Sequence, residues 1–298
     1  MKKAWFIYAL ITTLFWGVWG AFAEFPTRHG FPDTLVYVVW TLTMIPPALY
    51  AMQRVGWRVQ RNGKSVLLGA LIGLTGAGGQ MLLFHAVHTG PTYLIFPVIA
   101  LSPVVTIGLS MVFLRERVTR VGAIGVLLAL VALPLFNYSP AGEAGAAQGV
   151  TWFIYALIVL LAWGVQGYFM KLANASMDAE NIFLYMTVWG LLLVPIALWM
   201  TDFSTPIEYG WQGPGLAAVT QILNAVGALT LVYAFRYGRA LVVAPLANAG
   251  APMITAIVSM IVLGVMPNSV TIVAIALAFL AAALLAIEPE EPLVEQPV

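Results

Sequence analysis

Residues 5–22 read WFIYALITTLFWGVWGAF, and residues 152–169 read WFIYALIVLLAWGVQGYF. Thirteen of the eighteen aligned pairs are identical, so the chain carries an internal duplication. The correspondence runs on past this stretch. Trp40 and Pro46 match Trp189 and Pro195. FHAVHTG, ending at Gly90, matches VYAFRYG, ending at Gly238, and Pro97 matches Pro245. After a one-residue insertion Pro103 falls on Pro252, and Ser110-Met111 on Ser259-Met260.

The duplicated unit is apolar. Hydrophobic residues make up 61% of the chain and charged residues 8%, too few charges to cover a water-soluble domain of this size. The expected solvent is lipid. A near-neutral net charge of +1 argues against a nucleic-acid partner held through phosphates. With no cysteine, disulfides, thiol catalysis and cysteine-ligated metals are excluded. The basic start MKKAW resembles a signal peptide, but its apolar run is too long for one and is expected to be a retained first span.

Breaks at charge, Gly and Pro predict ten spans, at 4–22, 34–52, 65–87, 91–114, 119–136, 150–170, 181–200, 213–235, 240–263 and 269–287. With the N-terminus inside, twelve of the thirteen basic residues fall on one side, and Arg28 alone falls outside. Both termini are then cytoplasmic, and the acidic, Pro-rich tail 289–298 is expected to be disordered. Five spans per copy is an odd number, so the second copy enters the membrane from the opposite side. The expectation is an all-α membrane protein of two inverted five-helix repeats, residues 1–140 and 148–288. The charges fit: Glu24 lies outside where its counterpart Lys171 lies inside, and His88 outside where Arg236 lies inside.

Trp16-Gly17, repeated as Trp163-Gly164, and the segment LSPVVTIGLSMVFLRERVTRVGAIG with Pro103, Leu114-Arg115-Glu116-Arg117, Gly122 and Gly125 resemble the EamA-type ten-helix members of the drug/metabolite transporter superfamily. The likeness covers residues 4 to 287. The second copy departs from it at LGVMPN, where Val265 stands in place of an acid. The resemblance implies a carrier of small metabolites or drugs. It also implies a cavity among spans one, three, four, six, eight and nine, with five and ten at the edge.

Polar groups at membrane depth are costly unless satisfied, so they mark candidate sites. Gln80, Gln166, Gln221, Asn224 and Asn248 lie on the spans the resemblance places around the cavity. Gln221 and Asn224 share one helix face. Bridging between helices is the competing role for each amide. Trp16, Trp19 and Trp163 are candidates for an aromatic wall, and Trp19 has Gln166 as its repeat partner, as an asymmetric ligand would require. Trp5 and Trp152, at span ends, fit an interfacial belt, as do Tyr93 and Tyr168. Pro97, Pro103, Pro245 and Pro252 break spans four and nine at matching places, the strongest sequence pointer to a transporter site or gate. The Gly-rich GALIGLTGAGGQ lacks the Lys-Ser/Thr of a phosphate loop, and Gly69 and Gly73 read as a close-packing face. The repeated Gly17/Gly20 and Gly164/Gly167 carry the same signal.

No acid or base falls in the middle of any span, so an uncharged or zwitterionic solute, moved by facilitated diffusion or exchange, fits better than proton-driven export of drugs or toxic metabolites. Glu24 is the one candidate proton site or gate. His85 and His88 share a helix face but have no third ligand nearby, and neither a metal, a cofactor nor a catalytic site is expected. The expected partners are a small solute and the bilayer, with a homodimer as an option. A bacterial inner-membrane type of location is expected. A membrane scaffold or sensor is the alternative of another class.

Overall fold

The computed structural model describes residues 4–115, 117–136, 150–237 and 246–287, and all regular structure among them is helical. The helices are α1 (Ala4–Phe22), the single turn α2 (Phe25–Arg28), α3 (Asp33–Arg54), α4 (Gly63–Thr89), α5 (Thr92–Ile99), α6 (Pro103–Phe113) and α7 (Arg120–Leu135). The second copy supplies α8 (Thr151–Asn174), α9 (Ala179–Leu192), α10 (Val194–Met200), α11 (Leu216–Tyr237), α12 (Ala251–Leu263) and α13 (Ser269–Ala286). Wide π-helical turns, Trp211–Gly215 and Leu246–Gly250, lead into α11 and α12. Among the described residues, eight helical segments are long and apolar enough to cross a bilayer, and α7 and α12 are two shorter apolar helices. The expected tail and Pro245 lie outside the described residues.

Local chemistry sets the helix starts. Asn62 Oδ1 accepts from the Ser65 amide, Thr119 Oγ1 from Gly122 and Asn268 Oδ1 from Thr271, so α4, α7 and α13 each open on a side-chain cap. Pro103 and Pro252 sit in the first turns of α6 and α12. A proline there costs no hydrogen bond, because first-turn N–H groups have no helical partner. Pro103 thus follows the turn at residues 100–102 within the span Thr92–Phe113, and Pro252 follows directly on the wide turn Leu246–Gly250. Pro97 does lie inside a helix, α5, and Pro46 and Pro47 lie inside the unbroken α3. Span seven is divided at Leu193, just before Pro195.

The packing exchanges the two copies. Helix α1 packs on α11 and α12, while its repeat α8 packs on α4, α5 and α6. Helix α3 meets α11 as α9 meets α4. Helix α3 also meets its own repeat α9, and α7 meets its repeat α13. Each copy is thus completed by the other.

The loops gather at two ends. At one end the Asp178 amide donates to Gln60 Oε1 (2.9 Å) and the Gln60 amide to Asn181 Oδ1 (3.0 Å). Asn181 Nδ2 in turn donates to the Arg58 carbonyl (3.2 Å). At the other, the Glu208 amide donates to the Gly30 carbonyl (3.2 Å), and the Thr34 and Thr201 hydroxyls meet at 2.7 Å.

Candidate functional site

The seam between the copies is built twice from the same parts. Glycine lets a backbone approach where a Cβ would collide, and small residues at helix crossings do this in lipid. A Cβ on Gly17 would lie 2.6 Å from Ile254 Cβ and 3.3 Å from the Ala251 carbonyl. Its repeat Gly164 lies against Val105 and the Ser102 carbonyl, the aligned residues of the other copy. The close approach brings one hydroxyl onto each crossing. Thr255 Oγ1 donates to the Gly17 carbonyl (3.0 Å), and Thr106 Oγ1 to the Gly164 carbonyl (2.8 Å). Gly20 and Gly167 pack on the same two threonines.

The indoles follow suit. Trp16 Nε1 donates to the Asn224 carbonyl (3.1 Å), and Trp163 Nε1 to the Gly76 carbonyl (3.3 Å), with Gly227 and Gly79 against the two rings. Both tryptophans are half-buried. The candidate pair Trp19 and Gln166 then breaks the symmetry. Trp19 is buried, stands edge-on to Phe96 with ring centres 5.7 Å apart, and donates from Nε1 to Gln221 Oε1 (2.9 Å). Gln166 is buried with its amide against Gly76.

The structure therefore brings Trp16, Trp19, Gln221 and Asn224 into one cluster on α1 and α11, and Trp163 and Gln166 into another on α8 and α4. Gln80, on α4, is buried, and its Nε2 has no hydrogen-bond partner, as is also true of Gln221 Nε2. Asn248 belongs to the wide turn before α12, and its side chain lies outside the described residues. Sequence reading missed Trp40, which donates from Nε1 to Asn224 Oδ1 (3.0 Å). Its match with Trp189 in the repeat was the available signal. Thr106 and Thr255 were also missed, although they align once the one-residue insertion is allowed.

Other expectations shift. Trp152 is buried against Gly90 between helices, not at an interfacial belt, whereas Trp57, Trp199 and Trp211 near helix ends are the exposed indoles. Gly69 and Gly73 do form a packing face, against Tyr185 and Trp189 of α9. Glu24 is buried and paired with Arg28 (3.0 Å). His85 Nδ1 meets Asp33 Oδ2 at 2.7 Å, and its ring stands edge-on to Tyr155, 4.6 Å away.

Cavities among the described residues include two that lie elsewhere. One, about 350 Å³, lies at the end of the bundle among Phe31, Asp33, His88, Met200, Asp202 and Thr205. There the Ser204 hydroxyl and amide both donate to Asp202, holding its carboxyl below the usual range. The other, about 270 Å³, is an all-hydrocarbon crevice among α6, α7 and α8, lined by residues such as Val104, Leu133 and Leu160.

A family model described as the EamA-like transporter family matches residues 3–138 and again 150–287. An uncharacterized protein of Methanocaldococcus jannaschii is 31% identical over 61 residues, which is 20% of this chain and 44% of that protein's length. A protein of known crystal structure superposes with a TM-score of 0.62 at 17% identity, over 95% of this chain and 96% of that one, which is a likeness of fold.

Proposed function

Because this chain belongs to the EamA-like transporter family, a family of transporters and not of enzymes, we propose that it is a secondary carrier for a small uncharged or zwitterionic metabolite. Its ten spans form two inverted five-helix repeats that open alternately to either side of a cell membrane. The segregation of twelve basic residues supports cytoplasmic termini. The two short helices α7 and α12 complete the ten, each being about 20–24 Å long by helix rise.

The observation that carries this reading is the seam. It is the meeting surface of two similar units, and it holds matched glycine crossings, matched Thr–carbonyl bonds and matched indole–carbonyl bonds. Similar crossings on both sides give the inward-open and outward-open arrangements similar energies, as alternating access requires. The turn before Pro103 and the wide π-helical turn before Pro252 adjoin these crossings and supply the bending points. Among the described residues, no acidic or basic side chain lies in the middle of a span, so a solute with uncompensated charge has no buried counter-ion.

Reconstitution tests the proposal. Purified protein in liposomes gives saturable flux of an uncharged or zwitterionic solute, with counterflow. Flux no greater than in protein-free liposomes favours a scaffold or sensor. Accumulation driven by a pH gradient and abolished by Glu24→Gln favours a proton-coupled exporter.

A further inference from the structure

Three indoles converge on one face of α11, each donating to one of its oxygens. Trp19 takes Gln221 Oε1, Trp40 takes Asn224 Oδ1 and Trp16 takes the Asn224 carbonyl. An indole nitrogen can only donate. It therefore fixes which way each amide faces: the oxygen is held toward the tryptophan, and the NH₂ is turned away from it. Gln221 is fully buried, and its Nε2 has no partner. Such an orphaned donor costs free energy that an incoming acceptor regains. The second orphaned amide nitrogen, Gln80 Nε2, is on α4, the repeat counterpart of α11.

We propose that the indoles lock the α11 amides as hydrogen-bond donors, so that solute is recognised through an oxygen acceptor. That acceptor is the carboxylate of a zwitterion or a carbonyl or hydroxyl of a neutral solute, and an ammonium group alone is not held. The inference rests on the carrier reading and adds the polarity of its recognition. A site for a cation would turn acceptors toward the solute. Here the α11 side-chain amide oxygens are turned to the indoles, and the acids Glu24 and Asp33 lie at a helix end, each already paired, with Arg28 and His85.

Gln221→Glu separates the two roles of this residue. Glutamate keeps an oxygen for Trp19 but has no NH₂, whereas a purely structural role is satisfied by that oxygen. The probes are the neutral amino acids, their decarboxylated amines and a set of hexoses, supplied to liposomes containing the full chain. The wild type is expected to carry one or more amino acids or hexoses and none of the amines. Gln221→Glu buries a carboxyl and is expected to melt lower, so flux is compared per folded protein, where it is expected to fall about tenfold, the effect of one hydrogen bond to solute, as a raised KM. Trp19→Phe frees the amide to rotate, and amine flux should then appear. Amines carried by the wild type as well as their parent acids, or Gln221→Glu as active as wild type, overturns the proposal. If no probe moves, the carrier reading itself fails and takes this inference with it.

Discussion

Adding one methyl group at a seam crossing tests the packing most sharply. In Gly17→Ala the new Cβ would sit 2.6 Å from Ile254 Cβ. Carbon atoms pack at about 3.5–4.0 Å, so α1 and α12 must part by roughly 1 Å. Gly164→Ala is harder to relieve, because its Cβ would sit 2.7 Å from the Ser102 carbonyl, a backbone atom that cannot rotate away. Overpacking of this kind costs about 1–3 kcal/mol. Parting the helices also stretches the Thr255–Gly17 or Thr106–Gly164 bond, worth about 1 kcal/mol. The better helix propensity of alanine returns about 1 kcal/mol. The net loss is roughly 1–3 kcal/mol, which lowers the apparent Tm in detergent by roughly 3–10 °C. Gly108→Ala is the control. It lies inside α6 with nothing within 4 Å of its would-be Cβ, so it keeps the propensity gain and pays no steric penalty. If Gly17→Ala and Gly164→Ala melt with Gly108→Ala, the crossings are not tight and the reasoning fails.

Asn181→Ala leaves the Gln60 amide and the Arg58 carbonyl unpaired at the loop clasp, and should cost about 2–3 kcal/mol by thermal melting, against nearly nothing for an exposed asparagine. His85→Phe removes the Asp33 pair but keeps a ring against Tyr155. That pair is partly exposed, so the change should stay under about 1 kcal/mol in the same assay. An imposed pH gradient should leave the extent of solute accumulation in proteoliposomes unchanged, in wild type and in Glu24→Gln alike, because among the described residues no acidic or basic side chain lies in the middle of a span.

The duplication was legible because WFIYALI is repeated without a break, and helix existence was legible because apolar runs of membrane length leave few alternatives. The glycine crossings could be read too, since Gly17/Gly20 and Gly164/Gly167 align. Side-chain pairing was harder. Nothing local in the sequence says that Trp40 on α3 reaches Asn224, because that contact depends on how α3 leans on α11. Trp152 was misplaced for a similar reason: a tryptophan at a span end looks the same in sequence whether it faces headgroups or a neighbouring glycine. The prolines were recognised as breaks. Whether Pro103 starts a helix or kinks one was decided by the hydrogen bonds of residues 100–102, which turn back three or four residues.

The opposed orientation of the two copies can be measured directly, since the chain has no cysteine and a single introduced thiol is the sole target. His29 and Ser176 align when Trp5 is matched to Trp152, and both are exposed. In intact cells a membrane-impermeant maleimide should label His29→Cys from outside, and Ser176→Cys only after permeabilisation. Labelling of both from the same side would contradict the inverted repeat, and with it the alternating seam.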